Sequence, residues 1–156
     1  MHKYLGMKSD YCKQGKVKID MKDYLKKILD NLPEKYQGRA ITPEEKHHSE
    51  VNNTTRKLSE KDAQAFHTIV SKLLFLCKRA RTDILTGVDF LTTEVRDPEK
   101  EDDKTLSHIL KYLIGTKYLF LTLGSDGTGT VKCWVEAAFA VHHDTNSHTG
   151  GMITMG

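Results

Sequence analysis

Apolar positions fall into three regimes along the chain. At the start they are sparse and interleaved with lysines: Tyr4, Leu5 and Met7, then Val17 and Ile19. The stretch YLGMK, the turn-like SDYCKQGK containing Gly15, and the run VKID together predict a short β-hairpin. At MKDYLKKILDNL the spacing turns helical, with Tyr24, Leu25, Ile28, Leu29 and Leu32 on one face, Asp20 placed as N-cap and Pro33 as the stop. From Glu34 to Lys57 the chain is polar, carries Pro43 and has no apolar period. A link of that length predicts an extended connector crossing a surface.

The second regime is helical throughout. Ser59 followed by Asp62 resembles a capping box, and Phe66, Ile69, Val70, Leu73, Leu74 and Cys77 form a wide stripe behind it. Thr82 is placed to cap a second helix carrying Ile84, Leu85, Val88, Leu91 and Val95. Asp97-Pro98 is expected to open a third, because proline at a first helical position loses no hydrogen bond. Glu99, Glu101, Asp102 and Asp103 then sit near the positive end of its dipole. Leu106, Ile109, Leu110, Leu113 and Ile114 are its buried face, and Gly115 is expected just past its end.

The third regime is extended. YLFLTL reads as a strand, GSDGTG as a turn, VKCWVEAAFAV as a second strand, and HDTNSHTGG as a loop to a third strand, GMITMG. No turn or cap follows this last run, the pattern expected of a sheet cut short with an open edge. The fold class is therefore α+β: an N-terminal hairpin and helix, a three-helix unit, then a partial sheet. The expected divisions are 1–33, a polar linker 34–58, the helical unit 59–116, and 117–156.

Composition narrows the setting. The chain has 156 residues, 38% hydrophobic and 29% charged, enough for one domain with a core. No apolar run approaches the roughly 20 residues of a membrane span, and MHKYLGMKSDY lacks the apolar stretch of a secretory signal. An intracellular setting without membrane partners is expected. Cys12, Cys77 and Cys133 lie far apart without CxxC spacing, which argues for free thiols. Charge is uneven: through Leu58 there are 13 Lys and Arg against 8 Asp and Glu, and beyond it 11 against 13. A basic N-terminal third is compatible with a polyanionic partner or with an ordinary solvated surface.

Three constellations carry chemistry. Glu136 ends the core of a predicted strand, where a rigid backbone suits a Mg²⁺ ligand, although such a site needs several converging carboxylates. Asp126 and Asp144 are near it in sequence but lie in turn-like segments with local uses. His142, His143 and His148 with Asp144 offer zinc donors, but adjacent residues on a strand point to opposite faces. Lys72, Lys78, Arg79 and Arg81 border the first long helical stripe. They suit either a phosphate backbone or the negative end of the helix dipole. There is no GxGxxG, P-loop, HExxH or GxSxG.

The order of these pieces resembles the reverse-transcriptase/RNase H portion of copia-type LTR retrotransposon Pol polyproteins. The likeness runs through HKYLGM, VKIDMKDYLKKIL, FHTIVSKLLFLCKRARTDILTGVDFLTT, HILKYLIGTKYLFLTL and VKCWVEAAFAVHHDTNSHTGGMITMG. It matches the family's F/Y-L-G strand, its thumb helices with T/A-R-P-D-I and R-x-L-x-Y-L-x-G-T, and its D-A-D/S-W/Y-A strand with an H-T-G hairpin. The resemblance covers nearly the whole chain and is weakest across Glu34 to Lys57. It implies that residues 1–33 end the palm and start the thumb, that 59–116 are thumb and connection gripping primer–template duplex, and that 117–156 begin an RNase H-like domain. Glu136 then stands at the first RNase H aspartate, a Mg²⁺ ligand, with a side chain one methylene longer. Thr82 replaces the proline of R-P-D-I.

The polymerase Y-x-D-D and the remaining RNase H carboxylates are absent, so the resemblance implies a fragment inactive alone. As such it would be limited to weak, sequence-independent binding of RNA–DNA or DNA duplex through Lys72, Lys78, Arg79 and Arg81. Its other partner would be the remainder of the Pol polyprotein, in a cytoplasmic particle or the nucleus. Two alternatives of other classes stand beside it: a non-catalytic host helical interaction module derived from the element, and a metal hydrolase built on Glu136, His142, His143 and Asp144.

Overall fold

The structure, a computed structural model, describes residues 1–43, 56–138 and 147–155. Strands β1 (His2–Tyr4), β2 (Met7–Lys13) and β3 (Lys16–Asp20) form an antiparallel meander. The element expected over YLGMK is broken in two, because Leu5 and Gly6 both have positive φ (46° and 79°) and make a two-residue turn between Tyr4 and Met7. The expected turn over SDYCKQGK is correspondingly shorter. β2 continues to Lys13, with a register shift between Asp10 and Lys13, and only Gln14 and Gly15 turn.

Helix α1 (Lys22–Leu29) follows, with Met21, Leu25 and Ile28 buried. The Asp20 carboxylate accepts the Lys22 N–H at 2.7 Å, but Asp20 lies one position before the observed N-cap, Met21. Beyond Pro33 a 3₁₀ turn, Glu34–Tyr36, departs from the surface connector that its polarity predicts. Tyr36 is fully buried in the core and donates to the Asp103 carboxylate at 2.5 Å. Burial and that carboxylate push its hydroxyl up to about 12. Lys35 bonds Asp103 at 2.8 Å and lies 3.7 Å from Asp62. One aromatic in a polar run has no period to announce it, yet it pins this segment across two helices.

The helical unit consists of α2 (Glu60–Cys77), α3 (Leu85–Thr93) and α4 (Lys100–Gly115). The expected stripes supply most of its core: Phe66, Val70, Leu73, Ile84, Val88, Leu91, Leu106, Ile109, Leu110 and Leu113 are all buried, while Leu76 takes the buried place expected of Leu74, which is half-buried. Ser59 caps α2, its hydroxyl accepting the Asp62 N–H at 3.2 Å. The Asp62 carboxylate takes the Ser59 hydroxyl (2.6 Å) rather than completing a reciprocal box. That box forms at α4, where the Glu99 side chain bonds the N3 backbone and Asp102 accepts the Glu99 N–H at 2.7 Å. Pro98 therefore precedes the cap instead of opening the helix, and its carbonyl accepts the Leu58 N–H at 2.9 Å. Thr82 makes no cap. It starts a 3₁₀ turn, Thr82–Ile84, that leads into α3. Gly115 is the last residue of α4, not a left-handed terminator. A Cβ there would meet the Ala40 carbonyl at 3.4 Å, so glycine serves a close approach.

The chain then returns to its beginning. β4 (Leu121–Gly124) pairs antiparallel with β3, giving one four-stranded sheet in the order β1-β2-β3-β4. YLFLTL thus completes the N-terminal sheet rather than opening a new one. The register places Val17 beside Leu123 and Ile19 beside Leu121, so apolar side chains share one face. Strands β5 (Lys132–Ala138) and β6 (His148–Thr154) form a separate two-stranded ribbon, and the expected H-T-G loop is already strand. A bridge from Ser125 to Met155 joins the ribbon to the sheet.

Candidate nucleic-acid interface and candidate metal carboxylate

The four cations bordering α2 do not form one face. Lys72 and Lys78 are exposed. Arg79 lies flat on Phe75, its guanidinium 3.7 Å from the ring, and donates to the Phe75 carbonyl at 3.0 Å. That bond satisfies a carbonyl in the last turn of α2, the local use open to a basic residue there. Tyr24 from α1 packs its ring 5.2 Å from that of Phe75.

Arg81 is a correction to the expected phosphate-contacting set. Its residue is 3% exposed, with Nε and Nη2 on the Asp83 carboxylate at 2.8–3.2 Å. Nη1 and Nη2 also donate to the Thr116 carbonyl (3.2 Å) and hydroxyl (2.7 Å). Tyr112 donates to the same Asp83 at 2.9 Å. Partial burial would raise the Asp83 carboxyl, but the Arg81 and Tyr112 bonds outweigh it and hold the group below its usual range. This network ties the start of α3 to the end of α4. A guanidinium so committed presents no donor to a nucleic-acid backbone.

Glu136 stands on β5 opposite Gly150 of β6, and it is exposed. Alternation places Lys132, Trp134 and Ala138 on its face. Asp126 is turned to local work, accepting from the Thr128 N–H (2.9 Å) and hydroxyl (2.7 Å), bonds that lower its carboxyl. Among the described residues no three His, Cys, Asp or Glu side chains come together as a metal site. Glu136 by itself does not meet the demand of Mg²⁺ for an octahedral oxygen shell. His142, His143 and Asp144 lie outside the described residues. His148 starts β6 opposite Ala138.

The ribbon around Glu136 has apolar groups on both faces. Trp134 and Met152 are paired on one, Cys133 and Ile153 on the other, with Val135 beside them. Trp134 is 59% exposed, Val135 77% and Ile153 72%. A two-stranded ribbon needs further strands or a covering helix for independent stability, and among the described residues neither face has one.

A second concentration of positive charge escapes the sequence reading. Lys22 and Lys26 of α1 and Lys117 and Tyr118 after α4 line one pocket of about 600 Å³, together with Asp23, Asp30 and apolar groups. Lys18 lies 3.4 Å above the adjoining Phe120 ring. These residues are remote in sequence until β4 pairs with β3. The only local signal is the aromatic-rich KYLF that begins at Lys117.

Over 153 residues the chain is 25% identical to a putative transposon Ty5-1 protein of Saccharomyces cerevisiae. The match covers 98% of this chain and 49% of that relative, so the chain spans about half the relative's length. No protein-family model and no solved structure matches the chain. Along nearly its full length it is thus similar to a transposon protein. No helix among the described residues is long and apolar enough to cross a membrane.

Proposed function

We propose that this chain is part of a retrotransposon polymerase polyprotein of the copia type, carrying thumb and connection helices and the first strands of an RNase H-like domain. The intact parent would perform RNA-dependent DNA synthesis and degrade the RNA of the hybrid, within a cytoplasmic particle. One observation carries the reading: the β5–β6 ribbon is apolar and exposed on both faces. Strands of that kind are stable only inside a larger sheet covered on both sides. The similarity to a transposon protein about twice as long supports the same conclusion.

The chain's own residues then have limited duties. Lys72, Lys78 and Arg79 would contact phosphates of a primer–template duplex, while Arg81 positions helices from within. Glu136 would supply one carboxylate to Mg²⁺ in the parent, with the others coming from the rest of the polyprotein. Bound there, Mg²⁺ would neutralise charge developing on a phosphodiester. Alone, the chain lacks both catalytic centres.

The test is to express the chain with its flanking reading frame and assay Mg²⁺-dependent DNA synthesis and hybrid cleavage. An in-frame Y-x-D-D upstream, carboxylates downstream and loss of hybrid cleavage in Glu136→Ala are expected. Flanks without these motifs, or an active isolated chain, would overturn the proposal. A second reading, a host helical interaction module, is favoured by a separate observation: among the described residues, every buried apolar side chain lies between Met21 and Leu113. Its signature is a monomer that unfolds in one cooperative transition without any added segment.

A further inference from the structure

The pocket between α1 and the α4–β4 connection has three lysines on its walls and an aromatic ring at its mouth. Lys26 and Lys117 have no carboxylate within ion-pair distance among the described residues. Lys22 is 3.4 Å from Asp20, and the lining Asp23 is held by Lys8 at 2.6 Å, which offsets its charge. Asp30, the remaining lining carboxylate, follows the last turn of α1. Positive charge therefore exceeds negative around the opening. Tyr118 is 71% exposed at this site, with the Lys117 ammonium 5.3 Å over its ring and the other face left for a base, and beside it Phe120 has one face covered by Lys18. A volume of about 600 Å³ is in the range of pockets that hold a molecule the size of a nucleotide.

We infer that this pocket binds an unpaired polynucleotide strand, with Lys22, Lys26 and Lys117 on consecutive phosphates and Tyr118 stacked on a base. Cations alone would attract any polyanion, and a duplex keeps its base faces inside the stack. An exposed ring beside Lys26 and Lys117, neither of them ion-paired among the described residues, fits a strand whose bases are free. The inference deepens the proposed function and rests on it. It adds a site for the single-stranded part of a primer–template, separate from the duplex contacts at Lys72 and Lys78.

The experiment is a fluorescence-anisotropy titration of the purified chain between about 50 and 200 mM salt. The probes are a labelled oligothymidylate of about 16 nucleotides and a duplex of equal length. Binding of the single strand is expected to fall steeply with salt. The double variant Lys26→Gln, Lys117→Gln should weaken it about tenfold and reduce the logarithmic salt slope by about 1.4, two phosphate contacts' worth. Tyr118→Ala should weaken it by about 5- to 100-fold, with Tyr118→Phe near the parent. Photo-crosslinking of a bromouracil-substituted strand to the unaltered chain, expected at Tyr118, gives an answer independent of variant folding.

If the lysine pair matters but Tyr118→Ala has no effect, the pocket is a general polyanion site and the inference fails. If only Lys72→Gln, Lys78→Gln weakens binding, the pocket is wrong while the polymerase reading stands. If the chain binds neither probe, the inference fails outright, and the flanking reading frame still decides the proposed function.

Discussion

The α2–α4 unit and the β5–β6 ribbon use their large apolar side chains in opposite ways. In the helices, Leu73, Leu110 and Leu113 are wholly buried, and the one buried guanidinium, Arg81, has a carboxylate, a hydroxyl and a carbonyl around it. In the ribbon every described residue of β5 is exposed, Trp134 and Val135 included. Helices with one apolar stripe can satisfy each other in a small group. A ribbon apolar on both faces needs cover on both. The difference separates what this chain stabilises by itself from what it presents to something else.

Truncation breaks the comparison most sharply. Leu110→Ala should cost about 2–5 kcal/mol in urea unfolding, because it leaves a cavity at a fully buried position. Val135→Ala in the same chain should cost about 0.5 kcal/mol or less, as expected for an exposed site. In a longer protein carrying the rest of the reading frame, the Val135 substitution should rise to about 1 kcal/mol or more. An unchanged value there would mean that the ribbon stays bare and that its two apolar faces have some other reason.

Next in size is Arg81→Met. It removes the cation while leaving Asp83 partly buried and Thr116 short of a donor, at an expected cost of about 2–4 kcal/mol. Far-ultraviolet circular dichroism through a thermal melt checks it. Lys78→Met, at an exposed neighbour, should stay within about 0.5 kcal/mol. Equal effects at the two positions would show that the Arg81 network contributes nothing beyond surface charge.

The helices were legible because a stripe repeated every three or four residues survives any uncertainty about ends. Ser59 is legible as the cap of α2, but the other two starts are not: the sequence points to Pro98 and Thr82, yet the starts fall at Glu99 and after a 3₁₀ turn. Which residue supplies the cap is settled by a box of two side chains, and Glu99 with Asp102 wins over proline. Tyr36 was hidden by its polar neighbours. The pairing of β4 with β3 was hidden for a deeper reason, since YLFLTL alternates equally well against either sheet. Arg81 resembles its neighbours Lys78 and Arg79 in sequence, and what separates it is its pairing with Asp83 and the approach of Thr116 from 35 positions away.

Two aspartates within the helical unit give opposite pH signatures, a smaller but cleaner contrast. Asp102 is pushed up to about 6, first by burial and then by Glu94, Glu99 and Glu101, from an ordinary value of 3.8. The folded state therefore binds the extra proton between those values, and stability should rise as pH falls from about 6 toward 4. Asp83, held low by Arg81 and Tyr112 despite its burial, contributes stability above its ordinary value that is lost only at more acidic pH. Asp102→Asn keeps an acceptor for the Glu99 N–H while removing the charge. Its melting temperature should exceed the parent's at pH 7 and converge with it near pH 4. A parallel offset across that range would mean that burial does not govern Asp102.

The smallest expected effect tests the N-terminal sheet, which lies between the two extremes. The β1–β2 turn has positive φ at both Leu5 and Gly6. Glycine tolerates that conformation, whereas a leucine side chain there crowds its own backbone. Leu5 is 55% exposed, so little burial offsets the strain. Leu5→Asn gives the Asn-Gly pair that a two-residue turn of this hand prefers, and it should raise stability by about 0.5–1 kcal/mol. The gain should appear as slower hydrogen exchange of the β1 and β2 amides, with α2 and α4 exchanging as before if the sheet opens independently of the helices. If instead the helices gain equal protection, sheet and helical unit unfold as one body, and the boundary of self-sufficient structure moves out to include everything except the ribbon.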